Sequence, residues 1–151
     1  MRIKRLLSAA LAASLLLLAA SVYAQVRRPY RNGSVWDVQF IRMKPGMETV
    51  YLNYVATDWK RGNEALKKDG VILSYRVLTT EPHNPQDFNI MLMVEYKDLA
   101  TMEANEQKEE AVYQQVIGND EKQRQGYRER LEIREVLGIR QAREIVLEPR
   151  R

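Results

Sequence analysis

Four segments concentrate β-branched, aromatic and large apolar residues, and each predicts a strand: residues 35–43 (VWDVQFIRM), 71–80 (VILSYRVLTT), 88–96 (FNIMLMVEY) and 139–147 (IRQAREIVL). Between the first two the period changes. Apolar residues recur at Met47, Val50/Tyr51, Tyr54/Val55, Trp59 and Ala65/Leu66, the one-sided stripe of an amphipathic helix over residues 47–68. Lys44-Pro45-Gly46 breaks the preceding strand, and Asp69-Gly70 ends the helix with a glycine suited to a left-handed cap. Gly62 weakens the middle by up to ~1 kcal/mol relative to Ala, which predicts a bend near residues 61–63. Residues 81–87 (EPHNPQD) form a turn built on two prolines, so the strands it joins read as an antiparallel hairpin. Asp98 is an N-cap for a helix carrying Leu99, Met102, Val112, Val116 and Ile117 on one face. After Gly118-Asn119-Asp120 comes a polar helical piece, residues 121–136, anchored by Tyr127, Leu131 and Ile133 and closed by Gly138. The order is β-α-β-β-α-β.

That order is the split βαβ pattern of an α+β, ferredoxin-like domain, in which a four-stranded antiparallel sheet carries both helices on one face. A lone sheet of this kind needs one apolar face and strict alternation. These strands do not alternate strictly. Phe88, Ile90, Leu92 and Val94 are opposed by Met91 and Met93; Leu73, Tyr75 and Val77 by Ile72 and Leu78; Trp36, Val38 and Phe40 by Val35, Ile41 and Met43. Burying one large apolar side chain is worth ~1.5–3 kcal/mol, so five or six left wet would rival the ~5–15 kcal/mol stability of a small domain. A second copy of the same sheet is the expected cover, making a homodimer. The alternative is a monomer covered by its own leader and by residues 121–136.

The element order, the strand of residues 36–43 followed by Lys44-Pro45-Gly46 and a helix, and the double-faced strands resemble the dimeric α/β-barrel superfamily over residues 35–147. That superfamily includes antibiotic-biosynthesis-type monooxygenases, stress-responsive barrel proteins and muconolactone-isomerase-like enzymes. The resemblance implies a dimeric barrel and, in some members, a hydrophobic pocket for cofactor-independent chemistry. It implies no catalytic residue here, because no motif of this chain matches one residue by residue.

Composition adds an address. Arg2, Lys4 and Arg5 precede an uncharged run of Leu, Ala and Ser at residues 6–20, and Val22-Tyr23-Ala24 places small residues at a cleavage site. This reads as a signal peptide (residues 1–24) cleaved after Ala24, giving a periplasmic or secreted protein with no membrane association afterwards. Residues 25–34 read as a flexible leader, residues 35–147 as the single domain and residues 148–151 as a tail. Removing three bases and no acid takes the formal charge from +4 to +1, which offers no field to gather nucleic acid. The absence of cysteine means the exported chain is held by packing alone.

Chemistry is sparse. Polar residues interrupt the buried strands at Asp37, Gln39, Ser74, Arg76, Asn89, Glu95, Gln141 and Arg143, and Arg76 is a natural partner for Glu95 or Asp37. Tyr51, Tyr54 and Trp59 on the first helix, with Trp36 and Tyr75, are either core or the walls of a pocket for a planar ligand. The candidate ligand-binding set between first helix and sheet is therefore Trp36, Gln39, Tyr54, Trp59, Tyr75 and Arg76. His83, the only histidine, sits near Glu81 and Asp87 in a proline turn and reads as turn chemistry, so neither a metal nor another cofactor is expected. Arg124, Arg128, Arg130 and Arg134 alternate with glutamates and read as a solvated, self-paired helix face. No nucleophile elbow or phosphate-binding loop is present. A small-molecule-binding domain is the leading expectation. A monooxygenase- or isomerase-like enzyme and a structural envelope protein without a ligand are the alternatives, so whether the chain is an enzyme stays open.

Overall fold

The structure is a computed structural model that describes residues 29–148. The signal-peptide reading and the start of the leader lie outside the described residues. Residues 32–146 form one compact unit, and the described residues flanking it belong to another. In that second unit Glu148 donates its N–H to the Pro29 carbonyl at 2.8 Å and also pairs with Arg31 at 3.2 Å.

The elements are β1 (Tyr30–Met43), α1 (Glu48–Tyr54), a π-helical turn (Val55–Trp59), α2 (Lys60–Lys68), β2 (Ser74–Thr79), β3 (Ile90–Tyr96), α3 (Leu99–Ala104), α4 (Glu106–Val116), α5 (Asp120–Leu131) and β4 (Arg134–Leu147). The sheet order is β2-β3-β1-β4, with β3 antiparallel to both β1 and β2. Alongside β1, Lys44 donates its N–H to the Ile133 carbonyl at 3.0 Å, Arg42 pairs with Glu135, and Ser34 Oγ donates to Glu144 at 3.4 Å, which sets β4 antiparallel. This is the ferredoxin-like α+β fold.

Several boundaries differ from the sequence expectation. β1 starts at Tyr30, so residues 30–34 are strand and not leader; Ser34 is buried. β2 is shorter than residues 71–80 because Val71 and Ile72 are buried under the helices instead. β4 starts at Arg134, five residues early, and takes the last positions of the expected polar helix. The first helix is not bent at Gly62. It widens one turn earlier, at Val55–Trp59. The buried positions Tyr51, Val55, Trp59 and Asn63 fall every four residues. On a 3.6-residue helix each such step rotates the stripe by about 40°, and a π turn takes up that drift. Gly62 serves close packing: a Cβ there would lie 2.6 Å from Cε1 of Tyr113 on α4.

Two turns form as their glycines dictate. Met47 donates to the Lys44 carbonyl at 2.9 Å with Gly46 at φ +79°. At the end of α2, Gly70 (φ +71°) donates to Lys67 O at 3.1 Å and Val71 to Leu66 O at 2.9 Å, the paired bonds of a Schellman cap.

Strand alternation sorts the sheet into two faces. One face bears Ile41, Met43, Ile90, Leu92 and Tyr96, which pack with Tyr51, Val55 and Trp59 at one end and with Leu66, Val71, Ile72 and Val112 at the other. The register puts Trp36, Val38 and Phe40 on the opposite face, beside Glu95, Met93 and Met91, with Leu78 beyond Met91. Phe88 precedes β3 and joins this second face rather than the Ile90 side, its ring edge-on to Phe40 at 4.9 Å. Among the described residues no helix covers the second face.

Inside the helix layer the Tyr96 hydroxyl donates to Glu109 at 3.1 Å. Burial raises the Glu109 carboxyl above its ordinary range against the opposing effect of that hydrogen bond, and Asp37 is raised by burial too. The folded chain therefore keeps these protons where the unfolded chain releases them, so they stabilise below the ordinary carboxylate pKa and that contribution is lost as pH rises through the raised one. Urea midpoints followed from about pH 4 to pH 7 are expected to contain a falling component that Glu109→Gln removes, since its amide oxygen still accepts from Tyr96. An unaltered slope in that variant places the effect elsewhere.

Candidate functional site

A cleft of about 720 Å³ opens on the helix side of the sheet, between the first helix, α4 and α5. Its floor is Gln39 of β1 and Leu92 of β3. Its walls include Tyr51, Tyr54, Trp59 and Tyr113, and Arg130 and Arg134 lie against those rings. The π turn sets Asp58 and Trp59 on the cleft wall, and π turns recur at functional sites.

The six sequence candidates separate. Gln39, Tyr54 and Trp59 line the cleft. Tyr75 stands behind it, meeting Trp59 edge-to-face at 5.3 Å and 87° while its hydroxyl donates to Glu64. Trp36 and Arg76 lie on the other face of the sheet, because alternation along β1 and β2 puts even-numbered residues there; the guanidinium of Arg76 sits 5.4 Å over the Trp36 ring. Arg76 forms no ion pair with Glu95 or Asp37 among the described residues; Glu95 instead accepts from Ser74 Oγ. His83 lies exposed in its turn, its backbone N–H directed to Asp87 at 3.4 Å, and no cluster of metal-ligating side chains occurs among the described residues.

The arginine series also divides. Arg124 and Arg128 both pair with Glu121 on the exposed side of α5, as their spacing implies. Arg130 and Arg134 turn inward. Arg130 lies 4.2 Å over the Tyr54 ring, and Arg134 lies 5.8 Å from the ring of Tyr51 and 5.2 Å from that of Tyr127. Burial pushes the Tyr51 hydroxyl up to about 12, the charge of Arg134 pulling the other way, and burial raises Tyr54 and Tyr113 as well. These phenols stay neutral at physiological pH, so Arg130 and Arg134 lie against uncharged donors and aromatic faces.

Neither a protein-family model nor a curated protein matches the chain. Among solved structures it is similar to two dimeric ferredoxin-like proteins from an uncultured marine organism. One is 12% identical with a TM-score of 0.49, covering 78% of this chain and 90% of that one. The other is 18% identical with a TM-score of 0.42, covering 80% of this chain and 98% of that one.

Proposed function

We propose that this chain is an exported, self-associating ferredoxin-like domain that holds a small planar aromatic molecule between its first helix and its sheet. The cleft carries the reading. Four aromatic side chains, Tyr51, Tyr54, Trp59 and Tyr113, wall a space large enough for a bicyclic ligand, with Gln39 supplying a polar anchor at the floor. Export rests on the N-terminal pattern of residues 1–24. Self-association rests on the second face, where Trp36, Phe40, Met91 and Met93 are only part-buried and Leu78 is exposed, with no helix over them among the described residues. That face also bears Arg76 and Glu95, so a two-fold axis passing between them would set Arg76 of each copy against Glu95 of the other.

The chain's two tryptophans lie on opposite faces of the sheet, which gives a built-in control. Titration of the mature protein with 2-naphthol, followed by NMR of the two indole N–H resonances, is expected to shift Trp59 and leave Trp36 in place. Equal movement of both, or none at millimolar probe, overturns the ligand reading.

A further inference from the structure

We infer that the molecule held in this cleft carries a carboxylate, and that Arg134 is the group that receives it. This rests on the aromatic-ligand reading above and adds the ligand's charge and its anchor.

Arg134 is 5% exposed and is the only charged residue buried among the described residues. Its Nε and Nη1 have no hydrogen-bond partner, and it forms no ion pair among the described residues. A buried guanidinium without a counterion is unfavourable unless another group pairs with it. Tyr51 offers it a ring and a hydrogen bond to its hydroxyl, and Tyr127 a ring; burial holds the Tyr51 hydroxyl protonated, so neither residue supplies a negative charge. Beside it Arg130 repeats the pattern, with Nε buried and unpartnered above the Tyr54 ring.

The nearby acids are otherwise engaged. Asp58 and Glu129 are the carboxylates in the cleft lining; Asp58 is held by Arg61 at 2.7 Å, and Glu129 accepts from Gln125 at 2.9 Å. Against those two, the lining carries Lys122, Arg130 and Arg134, none of them in an ion pair among the described residues, and Arg124, which Glu121 already holds. An anion entering the cleft meets an excess of positive charge and two unused buried donors on Arg134. A planar aromatic acid satisfies both halves of the site: its ring lies among Tyr51, Tyr54 and Trp59 while its carboxylate takes up the free N–H groups of Arg134.

The test compares 2-naphthoate with its neutral analogue 2-naphthamide, by calorimetry on the mature chain with the Trp59 resonance as a position check. Naphthoate is expected to bind about 10- to 100-fold more tightly, the span of a charge-assisted hydrogen bond. Arg134→Gln is expected to bring the two probes together, whereas Arg128→Gln, on an exposed residue outside the cleft lining that pairs with Glu121, keeps the preference. If Arg134→Gln fails to fold, Arg130→Gln serves, with a smaller loss of the same preference. Equal binding of both probes to the wild-type chain at Trp59 overturns the carboxylate inference and leaves the aromatic cleft standing. Binding of neither overturns both. Displacement of naphthoate by inorganic phosphate at equal concentration also overturns it, because the ring would then contribute nothing.

Discussion

Replacing Leu78 and Leu137 together by Asp is expected to turn the protein into a monomer, with its circular dichroism unchanged. Leu78 lies beside Met91, and Met91 beside Phe40, in one row across the second face. On the far side of Phe40, Arg42 meets Glu135, so alternation places Leu137, two residues on, in the same row. Both leucines are exposed in the single chain, at 45% and 40%, and charge there costs the protomer little. In a two-fold dimer each substitution occurs twice. Four lost apolar burials at ~1.5 kcal/mol each come to about 6 kcal/mol, or about four powers of ten in Kd. Light scattering at micromolar concentration reads the mass directly. The control is Leu52→Asp, a residue on α1 that is 39% exposed and is expected to keep the wild-type mass. A wild-type protein that is itself monomeric and takes up no hydrophobic dye would end the self-association reading.

The two faces of the sheet were legible because a strand's period of two is rigid. Once residues 35–43 are read as a strand, Trp36, Val38 and Phe40 must oppose Ile41 and Met43, and the structure keeps them so. Phe88 escaped the rule because it lies two residues before β3 begins, where alternation no longer applies. The glycine cap at Gly70 was readable from composition alone, since few residues adopt a positive φ without strain. The π turn was not read, although its trace is present: Tyr51, Val55, Trp59 and Asn63 keep a spacing of four for longer than an α-helix sustains on one face.

The candidate site was half legible for a related reason. Sequence places Tyr54 and Trp59 on a helix face and Gln39 on a strand, and the fold brings the three to one cleft. It cannot tell which face of the sheet the helices will cover, and that choice separates Gln39 from Trp36 and Arg76. Arg134 was hidden by its neighbours. Within residues 121–136 glutamates accompany every arginine, so a solvated helix is the natural inference; the helix stops at Leu131 and β4 begins at Arg134. The available signal was the pair Ile133 and Val136, apolar residues flanking Arg134 at the edge of the core.

The largest loss of stability is expected from Leu66→Ala. Leu66 is fully buried, packs with Val71, Ile72, Tyr96 and Val112, and supplies the carbonyl that receives Val71 N–H in the Schellman cap. Its side chain has two tasks that fail together. It fills the space between α2, α4 and β3, and it makes the apolar contact across the cap that turns the chain from α2 toward β2. The surrounding elements cannot collapse onto an alanine, because the close approach of Tyr113 to Gly62 already fixes α2 against α4. The cost is expected at the upper part of the ~2–5 kcal/mol range for such a truncation, a fall in Tm of about 10–20 °C for a domain of this size. Scans are compared at one protein concentration, since association with a second copy raises the apparent Tm. Gly70→Ala isolates the cap from the cavity: it strains the positive φ while leaving Leu66 in place, and its loss is expected to be about 1–2 kcal/mol. If the two variants lose equal stability, the cap alone accounts for Leu66, and the packing between α2 and α4 is not what holds this end of the sheet.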